Sequence, residues 1–322
     1  MIKFSVIGTS WITESFSDGA KLVPELEFDG VYSRSSEKGE AFAQKNGAKR
    51  VFTSFDELLA SDTELVYIAS PNSCHYEQSR RLLESGKHII CEKPITITAE
   101  EFSQLLAIAE EKNLVYIEAI MYMFSPARQM LKEAVSKIGS IRSANIDFSQ
   151  LSSKYQALQR GELPNIFNPK MKTGALNDLG IYCVYPVVDL FGMPKNIVPS
   201  QSFLDTGADA CGSAFFEYPD KLVTLTYSKV GQSRGVSQVF GDEGTIAIGS
   251  ISKVDDIYLY NNSGDATLIV PETEKKYLMG NEARAVAEFI LNYNEMSDFR
   301  KDCADMSRKV LECLEKMRIE NA

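Results

Sequence analysis

Along the first 120 residues, short runs rich in β-branched and aromatic residues alternate with stretches whose apolar positions recur at helical spacing. Lys3–Ile7, Glu27–Ser33, Leu65–Ala69, His88–Cys91 and Val115–Ile117 read as strands. Between them Ser36–Asn46, Ser73–Ser85 and Ala99–Lys112 read as amphipathic helices, with Gly86 and Asn113 standing where such helices stop. Repeated βαβ units of this kind predict an α/β fold, a doubly wound parallel sheet of the Rossmann type.

From about residue 141 the pattern changes to longer alternating strands: Ile141–Phe148, Ile197–Leu204, Ala210–Glu217, Leu222–Lys229, Ser237–Phe240, Thr245–Ile248, Asp256–Tyr260 and Thr267–Val270. Turns such as Tyr218–Lys221, Gly241–Gly244 and Asn261–Asp265 predict antiparallel neighbours. A helical insertion at Ala175–Leu190 interrupts the series, and helices over Asn281–Tyr293 and Lys301–Arg318 close it. The expected organisation is a Rossmann domain over residues 1–119 and an α/β domain over 120–322, built on a large, mostly antiparallel sheet with one face covered by helices. A broad, half-apolar sheet face left open invites association, so a homodimer or homotetramer through that face is expected, with covering loops as the alternative.

The length of 322 residues suits about two domains, and 44% apolar with 24% charged residues is the composition of a folded, soluble protein. A net charge of −10 disfavours nucleic acid and anionic lipid as main partners. Six cysteines without a CxxC pair suit a reducing compartment, and the interrupted start MIKFSVIGTSWITES resembles no secretory signal. The longest apolar stretch, Ile181 to Met193, is broken by Pro186 and Asp189, so a membrane span is not expected. The cytoplasm is the expected location.

The candidate chemistry lies at the ends of the early strands. Gly8, followed by Thr9, Ser10, Trp11 and Ile12, stands where a GxGxxG turn would present a helix N-terminus to a pyrophosphate, although Ser10 and Thr13 replace its later small residues. Ser33-Arg34-Ser35 ends the second strand without an acid, and Arg34 suits a 2′-phosphate, which favours NADP(H) over NAD(H). Ser70, Pro71, Asn72 and His75 lie at the same sheet edge, as do Glu92 and Lys93. Cys74, His75, His88 and Cys91 have no metal-finger spacing, and no metal site is expected.

The segment SPNSCHYEQSRRLLESGKHIICEKPIT resembles the central signature of the Gfo/Idh/MocA oxidoreductases, and Gly174-Ala175-Leu176-Asn177-Asp178-Leu179-Gly180-Ile181-Tyr182-Cys183 resembles their second signature. At a position where many family members carry His, Tyr182 in its Gly-Ile-Tyr-Cys context resembles the branch of dimeric dihydrodiol dehydrogenase and glucose–fructose oxidoreductase, which carries Tyr. The resemblance implies NAD(P) as cofactor, a sugar, cyclitol or diol as substrate, and oligomers built on the sheet. It also implies that Lys93 is the catalytic lysine and that Asp178 and Tyr182 are the second catalytic pair. Met123 stands where relatives of this branch often carry Arg.

Oxidation of a secondary alcohol needs an acceptor for the hydroxyl proton and a positive charge beside the developing alkoxide. A phenol titrating near ~10 is a poor base, but an ammonium within ~4–6 Å favours its phenolate, so Lys93 is expected to activate Tyr182. On a helix starting near Gly174, Asp178 and Tyr182 share one face, from which Asp178 is expected to reach substrate hydroxyls or the ammonium of Lys93. Glu92 is expected to fix the loop or the nicotinamide ribose, and His88 has no assigned role. The other functional class compatible with the missing glycines is a cofactor-binding sensor without turnover.

Overall fold

The computed structural model describes residues 1–319, which form two compact units: residues 1–124 with 274–308, and residues 125–273 with 309–319. In the first unit, β1 (Ile2–Ile7), α1 (Trp11–Ala20), β2 (Leu26–Tyr32), α2 (Ser36–Asn46), β3 (Arg50–Phe52) and α3 (Phe55–Ala60) lead to β4 (Leu65–Ile68). There follow α4 (Asn72–Glu84), β5 (His88–Glu92), α5 (Ala99–Glu111), β6 (Tyr116–Ala119) and the short α6 (Met121–Phe124). The six strands are parallel in the order β3-β2-β1-β4-β5-β6, so the order reverses between β1 and β4. Ligand crevices of doubly wound sheets open at the strand carboxyl ends beside such a reversal.

Local chemistry explains most boundaries. Ser35 accepts the Lys38 amide at the start of α2, and Thr98 and Glu101 cap α5 reciprocally. Gly86 (φ 81°) and Asn113 (φ 56°) adopt the left-handed conformation just past α4 and α5, as their positions in the sequence predict. The sequence pattern does not predict β3, because three residues carry no periodicity. The strand exists by pairing Arg50, Val51 and Phe52 with Gly30, Val31 and Tyr32 of β2.

The second unit begins with α7 (Ala127–Val135), β7 (Ile141–Ser149) and α8 (Tyr155–Gln159), then a π-helical turn (Leu176–Gly180) running into α9 (Ile181–Phe191). Seven strands follow: β8 (Asn196–Phe203), β9 (Asp209–Glu217), β10 (Leu222–Ser228), β11 (Ser237–Gly241), β12 (Gly244–Ser250), β13 (Asp255–Asn261) and β14 (Ala266–Val270). The eight-stranded sheet has the order β14-β13-β12-β11-β7-β10-β9-β8 and is antiparallel except where β7 meets β10. Ala144, Ile146, Val223, Leu225 and Tyr227 are buried on one face. The opposite face is more polar than expected: one rung reads Asn145, Thr224, Phe215, Val198 and another Asp147, Thr226, Ser213, Ser200.

The chain ends with α10 (Lys275–Leu291) and α11 (Ser297–Met317). The sequence pattern starts α10 after Gly280, whereas the helix begins at Lys275 and packs with the first unit, against α1. Gly19 of α1 is what lets the two helix backbones meet: a Cβ there would lie 2.6 Å from the Gly280 nitrogen.

Candidate functional site

Residues singled out in the sequence fall into two groups, one in each unit. In the first, Gly8 has φ 105°, and a Cβ there would lie 2.8 Å from the Ala69 carbonyl oxygen, so only glycine fits between the ends of β1 and β4. Ser10 precedes α1 in extended conformation without capping its amides; its hydroxyl instead pairs with that of the buried Thr13 at 3.3 Å. The two replacements for the missing glycines therefore satisfy each other and leave the helix N-terminus open to an anion. Arg34 is exposed at the end of β2, between Ser33 and the Ser35 cap of α2, and forms no ion pair among the described residues. A glycine turn that only glycine fits, uncapped amides and an arginine at the ribose position fit a dinucleotide with a 2′-phosphate.

Lys93 follows the end of β5, and its loop is held from below. His75 is fully buried, with Nδ1 2.9 Å from the Pro94 carbonyl oxygen and Nε2 2.9 Å from that of Ser70, so it braces the Lys93-Pro94 turn against the end of β4. Burial pushes its imidazole down despite those two carbonyls, with the Lys93 charge adding to the effect, and the neutral ring donates to one carbonyl at a time. No surface of His75 remains for the cofactor contact its position suggested. Glu92 accepts a hydrogen bond from the Tyr67 hydroxyl, and Tyr67 stacks on Phe16 of α1 at 4.0 Å. Burial pushes Glu92 up, against the pull of Lys93. Ser70 donates to Gln78 within α4, Pro71 stands immediately before that helix and Asn72 is its first residue. Met123 is buried within α6. His88 is structural: its Nδ1 accepts the Val115 amide at 3.0 Å.

In the second unit, the helix carrying Asp178 and Tyr182 starts where the sequence places it, for a reason the sequence does not display. Asp209 of β9 accepts the Leu176 amide at 2.6 Å, and a Cβ on Gly174 (φ 130°) would lie 1.8 Å from an Asp209 carboxylate oxygen. Burial pushes the Asp209 carboxyl up, opposed by the amides of Leu176 and Ala175. The first turn is π-helical rather than α-helical, so Asp178 lies in a widened turn and Tyr182 in the α-helix proper. Such turns are frequent at functional sites. Lys229, just past β10 and only 8% exposed at its side chain, forms an ion pair with Asp178. The Tyr182 ring meets Phe148 edge-on at 5.5 Å. Nearby in sequence, residues 153–166 line a concavity of about 670 Å³, with Arg160, Glu162 and Asn165 among its polar groups.

Sequence reasoning missed Lys229, Asp209 and Tyr67. Lys229 carries the signal that identified Lys93, a lysine at the carboxyl end of an apolar strand. Among the described residues, no cluster of three or more His, Cys, Asp or Glu side chains could hold a metal ion, and no helix is long and apolar enough to cross a membrane. Among the described residues the cysteines form no disulfide.

Residues 2–120 match the family model described as the oxidoreductase family, NAD-binding Rossmann fold, and residues 125–247 match the Gfo/Idh/MocA C-terminal domain. The chain is 36% identical over 265 residues to scyllo-inositol 2-dehydrogenase (NADP(+)) IolU of Bacillus subtilis, covering 82% of this chain and 81% of that protein. It is 28% identical over 225 residues to mouse trans-1,2-dihydrobenzene-1,2-diol dehydrogenase, covering 68% and 65%. A crystal structure of KijD10, a 3-ketoreductase from Actinomadura kijaniata, in complex with NADP and TDP-benzene, shares the fold: TM-score 0.85 at 20% identity, over 98% of this chain and 96% of that one.

Proposed function

Because the chain belongs to the Gfo/Idh/MocA oxidoreductase family, we propose that it interconverts a hydroxyl and a carbonyl on a sugar, cyclitol or diol, with NADP(H) preferred over NAD(H). The observation that carries this reading is the conjunction, at the carboxyl edge of one sheet, of the Gly8 turn, exposed Arg34 and the braced Lys93 loop. Two relatives support the cofactor preference: IolU and the Haloferax volcanii D-xylose dehydrogenase both have NADP(+) in their names. The α1 N-terminus and residues Gly8 to Ile12 hold the pyrophosphate, and Ser33 and Arg34 the 2′-phosphate.

When bound, the nicotinamide supplies the two-electron redox chemistry. The chain supplies the proton chemistry and the orientation. Tyr182 offers a phenolic oxygen able to take the substrate hydroxyl proton, and Lys93 offers a positive charge able to stabilise a developing alkoxide. In the reverse direction the same oxygen returns the proton. Asp178, its charge held by Lys229, accepts hydrogen bonds from neighbouring substrate hydroxyls and fixes which carbon reacts. Residues 153–166 shape the rest of the substrate's surroundings. The protein is cytoplasmic, and copies associate as a dimer or tetramer through the open sheet face around Val198 and Phe215, both nearly half exposed.

The test is a titration with NADPH and NADH followed by turnover on a panel of polyols, cyclitols and aldoses. Tighter binding of NADPH with turnover of at least one hydroxylated substrate is expected. Absence of NADPH binding overturns the reading, and binding without turnover across the panel leaves the sensor class in its place.

A further inference from the structure

Beyond the residues already assigned, one cation stands beside the dinucleotide turn. Lys275 opens α10, and the glycine contact between Gly19 and Gly280 fixes α10 against α1. This places the Lys275 ammonium 3.9 Å over the ring of Trp11, the first residue of α1 and a side chain 66% exposed. Lys275 is half-buried, yet forms no ion pair among the described residues. An ammonium withdrawn from water without a carboxylate in ion-pair contact is an unusual expense of free energy, and a cation–π contact offsets only part of it.

The groups that face this ammonium define its task. Glu92 and Glu282 attract it, and Lys93 repels it. Burial is the main influence on Lys275 and pushes it down. Glu282, on α10, is 1% exposed, and its Oε2 has no hydrogen-bond partner among the described residues. Burial pushes that carboxyl well up, with the Glu92 charge adding to the shift. Burial disfavours the charged form of that carboxyl and makes it a poor counter-ion for the Lys275 ammonium, which rests on the first residue of a helix whose amides Ser10 leaves uncapped. Lys275 thus lies within electrostatic reach of both the end of β5 and the start of α1, the two places between which a dinucleotide bound at this edge must run.

We propose that Lys275, whose ammonium rests on the ring of Trp11 at the start of α1, is a ligand of the cofactor's pyrophosphate, supplying attraction where Ser10 and Thr13 replace the later small residues of the glycine turn. The proposal rests on the reading of the protein as NADP(H)-dependent. Trp11 provides the readout, since it is the one tryptophan in the chain and lies under the proposed ligand.

The experiment compares the full-length wild type with Lys275→Met and Lys275→Arg. NADPH affinity is measured by calorimetry and by energy transfer from Trp11, and the melting temperature is measured without cofactor. Lys275→Met is expected to weaken NADPH binding about 10- to 100-fold, the range for a hydrogen bond to a charged group, and to flatten its salt dependence. Lys275→Arg is expected to recover most of the affinity. The cofactor-free melting temperature of Lys275→Met is expected to equal or exceed that of the wild type, because an unpaired, desolvated charge has been removed. Binding by Lys275→Met within two-fold of wild type overturns the proposal. So does a loss of affinity matched by a fall in cofactor-free melting temperature and shared by Lys275→Arg, which would give Lys275 a structural role. A wild type that binds no NADPH overturns the reading beneath it instead.

Discussion

The two units assemble their chemistry by different means. In the first unit the groups follow directly from strand ends: Gly8 after β1, Arg34 after β2, Ser70 after β4 and Lys93 after β5. Each is placed by a short local rule, because a parallel strand delivers whatever follows it to the same edge of the sheet. In the second unit, Asp178 and Tyr182 depend on side chains distant in sequence: Asp209 holds the start of their helix, Lys229 pairs with Asp178 and Phe148 packs on Tyr182. A site built from strand ends tolerates change elsewhere, whereas one built from crossed side-chain contacts fails with any partner.

The sharpest break of this contrast is Lys93→Met. It is expected to reduce turnover about 10²- to 10⁴-fold, the usual worth of positioned acid–base chemistry, while NADPH affinity changes little. Full turnover in a folded, cofactor-binding variant would remove Lys93 from the chemistry. In the second unit, Lys229→Met is expected to damage structure and activity together. It leaves Asp178 without its buried ion-pair partner, and denaturant unfolding is expected to show a loss of about 3 kcal/mol beside lowered turnover. Unchanged stability would mean that Asp178 does not need Lys229 to hold its place.

The third prediction concerns pH. Burial pushes the His88 imidazole down to about 4, against the opposing pull of Glu64, so the unfolded chain binds the proton more readily than the folded one. Its contribution to stability is complete above an unfolded value of about 6.5 and is lost as pH falls towards 4, about 2 kcal/mol after discounting for its partial exposure. Unfolding measured across that window should show a shallower decline in His88→Gln, and parallel profiles would assign the decline to other groups. The smallest effect is that of Arg34→Ala, expected to weaken NADPH about 10-fold and leave NADH unchanged. Equal losses for both cofactors would mean that Arg34 does not read the 2′-phosphate.

The same contrast explains what was legible in the sequence. Strand-end residues could be read because the βαβ pattern locates the edge before any coordinates are known. The alternation of the second half likewise announced its eight strands, though not that β7 and β10 run parallel, since pairing across an insertion is set by tertiary packing. Lys229 and Asp209 were hidden because their partners lie 51 and 33 residues away. Lys275 was hidden by Gly280, which in isolation reads as a reason not to begin a helix until later, whereas in the structure the helix runs through it and lies against Gly19.

That glycine contact also acts as a ruler. Where two helices touch backbone to backbone, neither can slide without a clash, so the five-residue spacing from Lys275 to Gly280 sets how far along α1 the ammonium arrives. An α-helix advances about 1.5 Å and turns about 100° per residue. A single amino acid inserted between those positions would swing the charge to another side of the helix while leaving every contact beyond Gly280 intact. Length variation among relatives should therefore collect before Lys275 or beyond the contact, and be rare between them.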